Sequence, residues 1–201
     1  MISDKHRVLF YHIPRTAGTT VEFLFCGKDW AFINHKTKHP SITDFKNEYK
    51  NVWDDYTKFS IVRNPFEWVR SLYSENRCPS LNFEYFCENI KFDTRNTNKG
   101  FIFENVKGNT FTEILKNEFD CVLRYEDLIS DDFSFLINEF NLNHKKVKLM
   151  PYERNHNFAK PKHTEKTYQI VKNKFKEDFE IYYPELINVS YNDVINQNYG
   201  I

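Results

Sequence analysis

The chain has 201 residues, 40% of them hydrophobic and 17% aromatic, enough apolar surface for one packed domain over residues 1–201 and too much for whole-chain disorder. Lys plus Arg equals Asp plus Glu at 28 each, so no bulk charge draws the protein to nucleic acid or an anionic membrane, and any anion site must be local. No run approaches about 18 apolar residues, and His12 and Pro14 interrupt the first apolar stretch, so neither a transmembrane segment nor a signal-peptide core is read and the expectation is a cytoplasmic or otherwise soluble protein.

Residues 7–12 (RVLFYH) form a short apolar run with β-branched and aromatic residues on both faces, as in a strand covered on both sides of a parallel sheet. The turn IPRTAG follows, and TTVEFLF then reads as a helix start, with Thr19 as N-cap and Glu22 three residues later completing a capping box. Residues 59–62 (FSIV) repeat the pattern. They lead into RNPFEWVRSLYS, where Asn64 is the N-cap, Pro65 the first helical residue and Glu67 the third member of a box. Residues 121–124 (CVLR) are a third strand, followed by a segment in which Phe133, Leu136, Ile137 and Phe140 have helical spacing. Thr164 to Phe179 reads as one amphipathic basic helix, and residues 91–110 as an irregular excursion. Strands alternating with helices predict an α/β fold with a mostly parallel central sheet flanked by helices. Cys26, Cys78, Cys87 and Cys121 lie far apart without a C-x-x-C pair and read as reduced thiols.

Ligands of an open parallel sheet bind outside the carboxyl ends of its strands. Two strand-to-helix loops carry anion-binding character. In HIPRTAGTT (residues 12–20), Gly18, Ala17, two Thr hydroxyls and Arg15 precede a helix whose free N–H groups attract an anion. The loop does not fit G-x-x-x-x-G-K-[ST], so a Walker reading fails. In the second, Arg63 ends the strand and Ser71 stands eight residues on. At roughly 100° per residue, Phe66, Val69 and Tyr73 make an apolar stripe and Ser71 lies about 140° from Phe66, off the core face and leaning back toward Arg63.

These motifs together resemble the sulfotransferases that use 3′-phosphoadenosine-5′-phosphosulfate (PAPS), particularly the carbohydrate-sulfotransferase branch. HIPRTAGTT is similar to that family's 5′-phosphosulfate loop, I-P-K-T-A-G-T-[ST], and FSIVRNPFEWVRSLYS to its 3′-phosphate strand-helix motif with Arg and Ser eight apart. VLRYEDL and KFKEDFEIYYPEL resemble weaker family segments. The resemblance implies a three-layer, P-loop-like fold, with Pro14, Arg15, Thr16, Ala17, Gly18, Thr19 and Thr20 around the 5′-phosphosulfate and Arg63 and Ser71 on the 3′-phosphate. It implies PAPS as donor and 3′-phosphoadenosine-5′-phosphate (PAP) as product, with a small-molecule or glycan hydroxyl as acceptor. The chain departs from the family in having Arg15 for Lys and Trp68 for a frequent Arg. Arg15 can neutralise charge on the leaving oxygen but cannot donate a proton.

Sulfuryl transfer needs in-line geometry, an anion cradle and a base for the acceptor hydroxyl. His39 is the leading candidate base, just before a short helix beginning near Ser41; His35 and Glu22 are the alternatives, although capping would by itself account for Glu22. His12 reads as a satisfied core histidine. Lys160 and Lys162 are candidates for a clamp on the 3′-phosphate, by location only. No metal is required by this chemistry, and no His/Cys/Asp cluster with ligand spacing stands out. A P-loop-like phosphotransferase is the competing reading, with Asp127 the nearest candidate for holding Mg²⁺. A noncatalytic nucleotide-binding module is another. Trp30, Trp53 and Tyr56 could stack on a sugar, although core packing suits most of them better.

Overall fold

A computed structural model describes residues 1–75, 82–90, 110–143 and 160–196. Residues 91–109 of the expected excursion, and Cys78, lie outside the described residues. Four strands, β1 (Ile2–Ser3), β2 (Val8–Tyr11), β3 (Thr57–Val62) and β4 (Cys121–Arg124), form one sheet in the order β1-β2-β3-β4. β2, β3 and β4 are parallel, with Phe10 opposite Phe59 and Val62 opposite Arg124; the short β1 pairs antiparallel to β2. The three parallel strands are the apolar runs read from the sequence. Two residues of β1 gave no such signal.

Among the described residues the α-helices are α1 (Gly18–Cys26), α2 (Ala31–Asn34), α3 (Ile42–Glu48), α4 (Pro65–Glu75), α5 (Phe83–Asn89), α6 (Phe111–Leu115), α7 (Tyr125–Ser130), α8 (Ser134–Glu139), α9 (Glu165–Lys174), α10 (Lys176–Tyr182) and α11 (Tyr191–Asn196). Because successive strand residues point to opposite faces, β2 feeds two cores. Val8 and Phe10, with Phe59 and Ile61, pack against Val21 and Leu24 of α1, Leu128 of α7 and Leu136 of α8. Leu9 and Tyr11, with Val62, pack against Phe45 of α3, Trp68 and Val69 of α4, Phe111 of α6, Val171 of α9 and Phe179 of α10. The aromatic content is spent here: Phe10, Tyr11, Phe45, Trp68, Phe111, Phe175 and Tyr183 are fully buried, each contributing about 1.5–3 kcal/mol of apolar transfer energy. Helices on both faces of a mostly parallel sheet give the expected α/β layers.

The helix expected over Thr164 to Phe179 is broken in two, and the segment after β4 forms two helices. Asp132 and Phe133 adopt left-handed backbone (φ 52° and 60°) between α7 and α8, and Phe175 (φ −102°, ψ 23°) separates α9 from α10. Each break turns a large aromatic, Phe133 or Phe175, into a core. Both strand-to-helix loops leave the same, carboxyl-terminal edge of the sheet. Tyr11 reinforces that edge by donating from its hydroxyl to the Pro40 carbonyl (2.8 Å), which holds the segment before α3 against the end of β2.

Candidate functional site

The chain reverses from β2 into α1 over residues 12–17. Arg15 (φ 66°) and Ala17 (φ 64°) both sit in the left-handed region, which costs a non-glycine residue about 1–2 kcal/mol. The Thr16 hydroxyl donates to the Ile13 carbonyl (2.7 Å), and Thr20 N–H to the Ala17 carbonyl (2.9 Å), closing the turn. Gly18 opens α1 directly against the His12 ring: a Cβ there would stand 2.0 Å from His12 Cδ2. The glycine is thus demanded by a close approach.

The expected capping box is absent. The residue before α1 is Ala17, without a side-chain cap, so Thr19 lies inside the helix. Glu22 is fully buried and faces inward, where Oε1 accepts from His12 Nδ1 (2.6 Å) and Oε2 from Trp30 N–H (3.0 Å) and Lys38 Nζ (3.1 Å). Burial alone would raise its carboxyl, but His12, Lys38 and the Trp30 amide outweigh that and hold it at about 2. Burial pulls the His12 imidazole below its usual range, against the opposing pull of the Glu22 carboxylate.

The second loop begins as read. Asn64 Oδ1 accepts from Phe66 N–H (3.0 Å) with Pro65 first in α4, but Glu67 does not complete a box: Asn64 N–H donates to Glu126 Oε1 (2.9 Å) instead. Ser71 is off the apolar stripe and nonetheless buried, because another element covers it. Arg15 Nε donates to Ser71 Oγ (2.9 Å), and Arg63 Nη1 donates to the Arg15 carbonyl (3.2 Å). Trp68, without explanation in the sequence, donates from Nε1 to the Pro14 carbonyl (2.8 Å) while its ring packs on Phe111 (4.1 Å between centroids). Three side chains, from residues 15, 63 and 68, therefore tie the first loop to α4 and the residue that leads into it.

Arg63 is 93% buried along its side chain, with its guanidinium 4.2 Å above the Tyr125 ring and Nη2 at 4.0 Å from Glu67 Oε2. Its Nε has no hydrogen-bond partner among the described residues. A buried, unmatched guanidinium N–H costs about 1–3 kcal/mol and marks a place where an acceptor belongs. Glu67 also pairs with Arg70 and with Lys160 Nζ (3.6 Å), and Arg70 Nε donates to the Pro161 carbonyl (2.7 Å). Lys160 thereby joins the Arg63 cluster; burial, then the Arg63 charge, pulls its ammonium down. Lys162 is exposed, and among the described residues no contact draws it into the cluster.

The candidate bases separate by environment. His39 is half-buried, donates from Nδ1 to the His12 carbonyl (3.0 Å) and meets the His12 ring edge-on at 4.4 Å. Burial, then the His12 ring, pushes it well below the usual imidazole range, so it is neutral at pH 7 with Nε2 as its basic nitrogen. The helix expected near Ser41 is α3, with Ser41 Oγ accepting from Asp44 N–H (3.1 Å). His35 lies exposed on the 3₁₀ turn His35–Thr37, on the same segment but outside the His12 contacts. Trp30 and Trp53 are buried core residues, while Tyr56 bonds Asp4 (3.0 Å). Asp127, the candidate for Mg²⁺, is an exposed carboxylate 3.7 Å from Arg124 Nε. No group of three metal-ligating side chains occurs among the described residues. Sequence reasoning missed the Glu22–Lys38 tie, Arg70, and Tyr125 beneath Arg63. Only the β3–β4 register, which puts Arg124 beside Val62, could have flagged Tyr125.

A protein-family model described as the sulfotransferase family matches residues 1–155. The chain belongs to the sulfotransferase family. This sulfotransferase carries both strand-to-helix loops and the strand β4 inside the matched region; α9 and α10, including the KFKEDFEIYYPEL segment, fall outside it. No match is found among curated proteins or solved structures. No described helix is long and apolar enough to cross a membrane.

Proposed function

We propose that the protein transfers a sulfuryl group from PAPS to a hydroxyl of a carbohydrate, with His39 as general base. The observation that supports this reading is the junction at Arg15: the loop suited to one anion and the helix suited to another meet through Arg15–Ser71 and Arg63–Arg15, and beside them Arg63 keeps a buried Nε without an acceptor among the described residues. A nucleotide with two separated phosphate groups matches both.

In this reading PAPS supplies the sulfuryl group and departs as PAP. The Arg15–Thr20 amides and the Thr19 and Thr20 hydroxyls, at the N-terminus of α1, hold the 5′ side. Arg63, Ser71 and Lys160 hold the 3′-phosphate. Lys162, farther out, would act only from the exposed side. Arg15 balances charge on the leaving oxygen, and the cations meeting the donor are side chains, so the chemistry calls on no metal. His39 Nε2 takes the acceptor proton while Nδ1–H stays on the His12 carbonyl, which fixes the tautomer. Phe32, 82% exposed on α2 in the segment leading to His39, offers a ring for an acceptor sugar.

Incubation with ³⁵S-labelled PAPS and a panel of glycans tests the reading. Label should enter a glycan with the wild type and drop by roughly 10²- to 10⁴-fold with His39→Ala, the usual worth of a general base. Transfer that survives His39→Ala undiminished would remove His39 from the role, and ATP-dependent phosphorylation of the same glycans would favour the phosphotransferase.

A further inference from the structure

We propose that Glu22 is a positioning residue for His39, its carboxylate locking the end of β2, the backbone at Trp30 and the ammonium of Lys38 into one block on which the His39 imidazole rests. The proposal depends on the reading of His39 as the base.

A carboxylate at position 22 is an expensive choice. Its helix neighbours Val21, Leu24 and Phe25 are core residues, and a leucine would fill such a site without desolvating a charge. What Glu22 provides instead is reach: one oxygen takes His12 and the other takes Trp30 N–H and Lys38 Nζ, so a single side chain connects the loop after β2 to both ends of the 30–38 segment. Lys38, only 12% exposed, is further fixed by Asp29. His39 is the next residue after Lys38, and its Nδ1–H is received by the main chain of His12, the residue whose side chain Glu22 holds. Two supports of the His39 ring, its own backbone and the acceptor of its Nδ1–H, thus converge on one carboxylate. The titratable groups facing His39 are His12, Lys38 and Glu22, and the first two disfavour a protonated ring while the third favours it.

Glutamine preserves the shape of Glu22 but is uncharged and has one acceptor oxygen, so it cannot hold Trp30 and Lys38 while also accepting from His12 Nδ1–H, and it offers the Lys38 ammonium no counter-charge. In Glu22→Gln the Lys38 ammonium loses its partner on α1 and the 30–38 segment loses an anchor.

The test reads the histidine rings of the unliganded protein by ¹⁵N NMR at pH 7.5, with His39 assigned by its disappearance in His39→Ala, alongside kcat and PAP affinity. Wild-type His39 should show the Nδ1–H tautomer. Glu22→Gln should shift it toward Nε2–H and lower kcat by about tenfold or more, with PAP binding within about twofold of wild type. Lys38→Met, which removes one tie without touching the buried carboxylate, should move the same two readouts in the same direction and stands in if Glu22→Gln does not fold. An unchanged His39 tautomer in the folded variants overturns the proposal, whether or not kcat falls. Full turnover in His39→Ala would instead sink the base assignment while leaving the tautomer result to judge the Glu22 tie.

Discussion

Arg15 Nε and Ser71 Oγ lie 2.9 Å apart although 56 residues separate them in the chain. The contact joins the 12–20 loop to α4, and Arg63 adds a second tie by donating to the Arg15 carbonyl. Arg63 therefore does two things: it braces the loop with Nη1 and presents the unmatched Nε. Arg63→Ala should weaken PAP binding by about 1.5–3 kcal/mol, roughly 10- to 150-fold in Kd, as expected for a lost charged hydrogen bond. Ser71→Ala removes a neutral hydroxyl and should cost about 1 kcal/mol. Isothermal titration of the two variants checks the ranking; equal effects would contradict it.

Gly18→Ala should destabilise the fold itself. The added methyl would fall 2.0 Å from His12 Cδ2, and the ring cannot retreat because Glu22 holds its Nδ1. Overpacking of this kind costs about 1–3 kcal/mol, visible as a lower midpoint in urea with an unchanged slope. A wild-type midpoint would mean that the loop gives way.

Glu67 places a negative charge among Arg63, Arg70 and Lys160, where the 3′-phosphate is proposed to bind. A phosphate entering there competes with the carboxylate for the same cations. Glu67→Gln should therefore tighten PAP binding by about three- to tenfold, and the gain should shrink with added salt. Weaker binding in Glu67→Gln would show that the carboxylate orients the cations instead of competing for them.

Stability should fall on mild acidification. His12, His39 and His163 all have folded-state pKa values below the usual 6.5, in each case first through burial, so the unfolded chain takes up protons that the folded chain refuses. Their contribution is complete above pH 6.5 and is lost as pH drops through the window below it. Glu22, held at about 2, adds a further loss only below about pH 4.5. Thermal midpoints at pH 7.5, 6.0 and 5.0 should decrease in that order; a midpoint flat to pH 5 would contradict the buried neutral rings.

Much of this architecture is written locally. Apolar runs of four to six residues mark β2, β3 and β4, and Asn64–Pro65 and Ser41 mark the starts of α4 and α3, because caps and strand patterns involve near neighbours. Glu22 shows where local reading fails. Its spacing from Thr19 imitates a capping box, but its partners His12, Trp30 and Lys38 are assembled only when the chain folds back. Ser71 fails differently: the helical wheel rightly puts it off the apolar stripe, yet Arg15 comes from another element to cover it. The backbone breaks at Asp132–Phe133 and at Phe175 also escaped, since they arise from packing of the two aromatics and involve neither Gly nor Pro.

Calorimetric titration of the metal-free protein with PAP tests the shared-site account most directly. Saturable one-to-one binding should persist in EDTA, weaken in both Arg63→Ala and Ser71→Ala, and exceed the affinity for ATP with Mg²⁺. No PAP binding, or PAP binding indifferent to both substitutions, would contradict it.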